Sequence, residues 1–215
     1  MKTKILFLAT ALFFTTYLFS QTTFGLRGGV NFSSLNSKDN DGHKDETKML
    51  TGFNLGVNAE IPVGVDFYIQ PGLLFTTKGG EYKDVSPATK VNISYIEIPV
   101  NVIYKPSLGK GKVLLGFGPY VAFGVGGRFK VGDAKTDIHF TNEVTQDDEP
   151  GIYFKRMDAG ANFLAGYEWA NRFSAQLNAG LGLVNIRSEV AGQDDGDASV
   201  KNTGFGISLG YRFGK

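Results

Sequence analysis

Apolar and polar positions alternate along this chain in eight stretches: 23–34, 50–61, 65–78, 91–105, 112–128, 152–169, 173–187 and 203–213. A period of two is the mark of a β-strand whose two faces meet different surroundings. In the fourth stretch Ile96, Ile98, Val100, Val102 and Tyr104 oppose Tyr95, Glu97, Pro99 and Asn101. In the seventh, Phe173, Ala175, Leu177, Ala179, Leu181 and Leu183 oppose Ser174, Gln176, Asn178, Gly180 and Gly182. The eighth sets Phe205, Ile207, Leu209, Tyr211 and Phe213 against Gly204, Gly206, Ser208, Gly210 and Arg212. The second sets Phe53, Leu55, Val57, Ala59 and Ile61 against Gly52, Asn54, Gly56, Asn58 and Glu60. The faces opposite the apolar ones carry Gly, Ser and Asn rather than Lys and Glu. Small polar residues suit a narrow barrel interior better than an open solvated surface.

The connections alternate as well. Three are tight: Pro62-Val63-Gly64, Ser107 to Gly111, and Ala170-Asn171-Arg172. Four are long and polar: 35–49, 80–90, 129–151 and 188–201. This predicts an all-β fold, an eight-stranded antiparallel up-and-down transmembrane β-barrel, with tight periplasmic turns and long outer loops. A lipocalin also has eight antiparallel strands, but nothing in a soluble barrel requires loops to alternate in this way. Aromatics fall on the apolar face near the tight turns: Phe24, Phe67, Tyr104, Tyr167, Trp169, Phe173, Tyr211 and Phe213. That clustering predicts an interfacial girdle on the periplasmic side.

The polar face carries charges at Arg27, Glu60, Glu97, Arg156, Asp158, Glu168 and Arg212. Isolated charges in a barrel interior are costly, so these are expected to pair. The interior of eight strands is just wide enough for side chains, which favours a filled core over a charged ion pathway.

Residues 1–20 read as a secretory signal. Lys2 and Lys4 precede an apolar run of 15 residues, Ile5 to Phe19, and Ser20 offers a cleavage point. That run is short for a membrane span. The expected mature domain is 21–215. Of 22 basic residues, cleavage removes Lys2 and Lys4, leaving 20 against 21 acids and a net charge of −1. Such a balance gives no electrostatic reason to expect nucleic acid. The chain has no cysteine, so disulfides and thiolate chemistry are excluded.

Candidate chemistry is sparse. The two histidines, His43 and His139, lie in expected outer loops among acids, at no recognisable catalytic spacing. The run Gln193-Asp194-Asp195-Gly196-Asp197 has oxygen ligands near a Gly turn but lacks the full EF-hand pattern, and turn chemistry explains it. The same holds for Asp147-Asp148-Glu149-Pro150. Gly116, Gly118, Gly124, Gly126 and Gly127 lack a GK[ST] ending and sit in a strand pattern, not a phosphate loop. No catalytic residue, cofactor or metal is expected.

Several segments resemble a known family. They are Gly25-Leu26-Arg27-Gly28-Gly29-Val30-Asn31-Phe32-Ser33, Gly52-Phe53-Asn54-Leu55-Gly56, and Gln70-Pro71-Gly72-Leu73-Leu74-Phe75 with Lys78-Gly79. Tyr95-Ile96-Glu97-Ile98-Pro99-Val100 is the most distinctive, joined by Gly118-Pro119-Tyr120, Gly180 to Ile186 and Leu209-Gly210-Tyr211-Arg212-Phe213. Along most of the mature chain this resembles the Bacteroidota-type "porin family" of outer-membrane β-barrels, related to small OmpA/OmpX-like barrels. Two departures are Gly72, where the family usually has Glu, and Gly214-Lys215 after the terminal aromatic that assembly machinery recognises. The resemblance implies an outer-membrane location, with outer-membrane lipid or lipopolysaccharide and the barrel-assembly machinery as partners. It leaves two roles open. One is passive passage of ions or small solutes, or a membrane-structural role. The other is a plugged barrel whose long loops bind an extracellular partner.

Overall fold

The structure, a computed structural model, describes residues 21–40, 43–83, 85–192 and 196–214. The expected signal segment, 1–20, lies outside them. Eight long strands form the barrel: β1 (Thr23–Lys38), β2 (Lys48–Gly64), β3 (Phe67–Glu81), β4 (Thr89–Tyr104), β5 (Gly111–Val131), β6 (Met157–Glu168), β7 (Phe173–Gly182) and β8 (Ser199–Phe213). Each pairs antiparallel with its sequence neighbours, and β1 pairs β8 from Phe24↔Phe213 to Lys38↔Ser199, closing the ring. Among the described residues there is no helix.

The ladder fixes the barrel's dimensions. From Glu168 on β6, the row of partners runs through Ser174, Gly210, Arg27, Gly56, Leu74, Glu97 and Ala122. It returns to β6 at Asp158, a shear of ten residues. Ten residues at ~3.3 Å against eight strand spacings of ~4.8 Å give a tilt of roughly 41° and a backbone-to-backbone width of roughly 16 Å. Side chains from opposite walls meet across such a width. At that tilt a ten-residue strand such as β7 climbs roughly 25 Å, the height of an outer-membrane apolar band.

Outside, the apolar face stays uncovered: Phe173, Leu177, Leu181, Phe205, Ile207 and Leu209 are all about half exposed or more. So continuous an apolar surface requires a nonaqueous neighbour.

Several boundaries differ from the sequence reading. Pro62-Val63-Gly64 belongs to β2, and the reversal is at Val65-Asp66, where Asp66 takes φ 61°. Asp tolerates that left-handed conformation better than Val or Ile. The second tight turn centres on Gly109, at φ 60°, and the third on Ala170-Asn171 with Arg172 at φ 70°. The long connections are partly strand. Ala134–Phe140 folds back on β5 (Arg128↔Asp137, Lys130↔Lys135), and Ile152–Phe154 runs parallel beside it. The expected sixth stretch, 152–169, is therefore broken at Lys155-Arg156, and loop strands extend the wall above the barrel.

Candidate functional site

At the tight-turn end of the interior, four charges form a closed square. Lys105 Nζ lies 2.7 Å from Glu60 and 3.0 Å from Glu168. Arg212 pairs with Glu60 through Nη2 and with Glu168 through Nε at 3.4 Å. Gln70 donates to Glu60 at 3.1 Å, and the Lys105 ammonium stands 5.4 Å from the centre of the Tyr68 ring. Each base serves both acids, so the square is neutral and its buried members are compensated.

A second cluster lies nearer the loop end. Lys78 Nζ bridges Glu97 (2.8 Å) and Asp158 (3.3 Å), and it sits 4.1 Å from the centre of the Tyr120 ring. Tyr120 and Asn202 donate to Asp158, and Asn162 donates to Glu97. Arg27, with Glu97 as its charged neighbour, makes this set neutral too. Its inward space comes from its partners in the ladder, Gly56 and Gly210. A Cβ on Gly56 would lie 2.3 Å from the Leu73 carbonyl oxygen, so the strands could not approach this closely with any other residue.

Beside this cluster is a cavity of about 90 Å³, lined by Arg27, Asn31, Asn54, Asn101, Asn178, Asn202 and Ser208 among others. Arg27 Nε, Asn31 Oδ1, Asn101 Oδ1 and Asn202 Oδ1 are buried there without protein partners. That volume has room for on the order of six waters, and such groups are what buried water bonds.

Above the cavity the interior turns apolar. Leu35, Val91, Ile93, Tyr95, Tyr120 and Ala122 from the strands pack with Ile138, Phe154 and Ile186 from the long connections. Leu35, Val91, Ile93, Tyr95 and Ile186 have no exposure at all. Phe140 covers Gly124, where a Cβ would stand 2.4 Å from the ring. The extended wall therefore encloses a hydrophobic core rather than a vestibule.

Of the interior charges read from the sequence, six line the interior: Glu60, Glu168 and Arg212 in the square, and Arg27, Glu97 and Asp158 in the upper set. Arg156 does not join them. It is exposed at the bend that breaks the sixth stretch, with its guanidinium 5.4 Å from the centre of the Phe140 ring. The parity that pointed inward does not carry across that bend. The central bases of both clusters, Lys78 and Lys105, were missed, although Lys105 shares the parity of Glu97 and Lys78 that of Gln70 and Thr76.

The aromatics sit together at the tight-turn end. Phe24 and Phe213 are ladder partners, and rings meet at Phe67–Tyr104 (4.9 Å), Tyr167–Trp169 (5.6 Å), Phe173–Tyr211 (4.9 Å) and Tyr211–Phe213 (5.1 Å). His43 is exposed beside Asp39, and His139 stacks near Tyr153. Asp148 accepts from the Thr145 amide and hydroxyl, which hold its carboxyl below the usual range, an ordinary turn arrangement. In the other acidic run, Gln193, Asp194 and Asp195 lie outside the described residues.

Residues 19–188 match the family model described as outer membrane protein beta-barrel domain. No curated protein matches the chain. Among solved structures, it is similar to Ail, the attachment invasion locus protein of Yersinia pestis, in complex with the heparin analogue sucrose octasulfate. That pair is 16% identical over 89% of this chain and 99% of the other, with a TM-score of 0.40. Neisserial surface protein A is 12% identical over 88% and 97%, with a TM-score of 0.48. The NanC porin is 10% identical over 87% and 98%, with a TM-score of 0.28.

Proposed function

The chain belongs to the outer membrane protein beta-barrel domain family, and from that premise we propose that it is a sealed barrel whose loop end meets a partner outside the cell. The reading rests on one observation: Ile138, Phe154 and Ile186 from two long connections fill the mouth against Val91, Ile93, Tyr95 and Tyr120. An open path for ions needs a continuous polar lining, and an apolar core of this kind interrupts it. The neutral square of Glu60, Lys105, Glu168 and Arg212 narrows the other end. In this reading the interior charges stabilise the wall and do not conduct, and the aromatic ring rests at the periplasmic interface. Residues 1–20 direct export and are removed, and barrel-assembly machinery inserts the mature domain.

The test is single-channel recording of the purified, refolded mature protein in planar bilayers, with a heat-shift gel to confirm folding. Silence is expected. Reproducible discrete openings from the folded protein overturn the reading and return Arg27, Lys78, Glu97 and Asp158 to the role of channel lining.

A further inference from the structure

We infer that the outer wall at β6 and β7 is a contact face for a second copy of this chain, lying beside it in the same membrane. Alanine is concentrated there: Ala159, Ala161, Ala165, Ala175 and Ala179 share the outward face with bulky neighbours. An apolar groove crosses this wall, with Phe163 and Leu177 on its flanks and Ala165 and Ala179 between them. Phe163 and Leu177 are 52% and 61% exposed, so the chain itself covers neither. Between membrane-embedded surfaces lipid tails are as apolar as the protein, so association depends on fitted packing, which small residues permit.

The ladder sets the position of each side chain on the wall. Phe163 pairs with Ala179, and Ala165 with Leu177. Each step from β6 to β7 climbs toward the loop end, as the return of the row from Glu168 to Asp158 requires. At a tilt of roughly 41° that step is roughly 3 Å of height, and two residues along a strand are roughly 5 Å. Ala179 thus stands roughly 3 Å above Phe163 and Ala165 roughly 5 Å below it, both roughly 4 Å to the same side. Leu177 closes the far flank roughly 8 Å away. The hollow between the two alanines is therefore centred within roughly 1 Å of the height of Phe163 itself.

This equality of height favours a second copy. Copies inserted the same way are related by a two-fold axis along the membrane normal, which brings together only groups at equal height. An axis midway between Phe163 and the hollow seats each Phe163 ring in the other copy's hollow. The same axis sets Phe205, the ladder partner of Ala179, against the other copy's Ala161, level with it to within roughly 1 Å. Large meets small twice, under one symmetry operation. A lipid tail in the groove needs no such match. This assignment depends on the barrel lying in the membrane and is independent of whether the mouth is sealed.

The test is energy transfer between donor- and acceptor-labelled copies in lipid vesicles, diluted with excess lipid. The chain has no cysteine, so Lys110→Cys, in a tight turn away from this wall, gives each copy one label. Transfer above that of randomly placed barrels is expected, and unlabelled protein should compete it away. Ala179→Phe fills the hollow and should weaken association at least about tenfold, as overpacking of a fitted contact does. Ala59→Phe, outward on β2 at the opposite side of the ring, should change nothing. A short bis-maleimide should join Ala165→Cys to its copy, since the two lie roughly 5 Å apart sideways across the axis. Ala175→Cys, on the same face but roughly 20 Å from its copy along the wall, should not be joined. Transfer no higher than random, from barrels shown folded by their heat shift, overturns the inference and leaves lipid as the occupant of the groove. So does undiminished association of Ala179→Phe. Equal crosslinking through Ala175→Cys also overturns it, because the copies would then meet by another face or only by collision.

Discussion

Replacing Lys105 with methionine removes the ammonium from the lower square while keeping most of the stem. The ammonium lies 2.7 Å from Glu60 and 3.0 Å from Glu168, and the Lys105 and Glu60 side chains are only 4% and 2% exposed. With an effective dielectric of about 20, each contact is a Coulomb attraction on the order of 6 kcal/mol. Burying the ammonium offsets much of this, and removing one partner of a buried pair costs about 3–5 kcal/mol. Arg212 still touches both acids, so the expected loss is near the lower bound, about 3 kcal/mol. Adding Glu60→Gln leaves Arg212 against Glu168 and restores neutrality. The double variant should recover about half the loss, a coupling of at least about 1.5 kcal/mol. Guanidinium unfolding in lipid vesicles gives the numbers, followed by fluorescence of Trp169, the chain's only tryptophan, with a heat-shift gel as a second probe. The reasoning fails if Lys105→Met costs under about 1 kcal/mol, or if the double variant is as unstable as the two single losses added.

Gly124→Val should displace Phe140 and loosen the hairpin without unfolding the barrel. Protease cleavage between 134 and 154 rises while the heat shift persists; an unchanged cleavage pattern contradicts the packing. Trp169 should be quenched by lipids brominated near the headgroup and hardly at all by those brominated at the chain ends. The opposite order would place the aromatic ring deep in the bilayer. Because the Asp148 carboxyl is held below its ordinary value, the Thr145–Asp148 turn is at full stability above about pH 4 and loses it as pH falls through the lowered value. Hydrogen exchange at the Thr145 amide across pH 2–5 should follow that course, and Asp148→Asn should flatten it.

How much of this was legible depended on whether one strand held the information. Parity within a stretch located the inward Glu60, Glu97, Asp158 and Arg212, because a barrel strand keeps its faces from end to end. It failed at Arg156, because alternation continues in sequence past Lys155 although the backbone bends there. Lys78 and Lys105 were passed over because they end their stretches, where a charge reads as the start of a solvated connection. The apolar mouth was invisible for a different reason. Ile138 looks like a lone hydrophobe in a polar loop, Phe154 and Ile186 look like ordinary members of the sixth and seventh stretches, and only closure of the ring brings the three together. The strand Ala134–Phe140 was likewise hidden, since its exposed Lys135, Asp137 and His139 made the segment look uniformly polar.

The pairing of β1 with β8 makes closure an all-or-nothing matter. Phe24 meets Phe213, so the first strand of the barrel completes its pairing only with the last, and a barrel lacking that last strand is a curved sheet with two raw edges. Such edges invite other strands. A chain cut short by even one strand cannot settle for a smaller barrel, because the ten-residue shear and the inward glycines fit eight strands. The seam thus works as a proofreading device for length: complete chains hide both edges at once, and incomplete ones stay marked for aggregation or proteolysis.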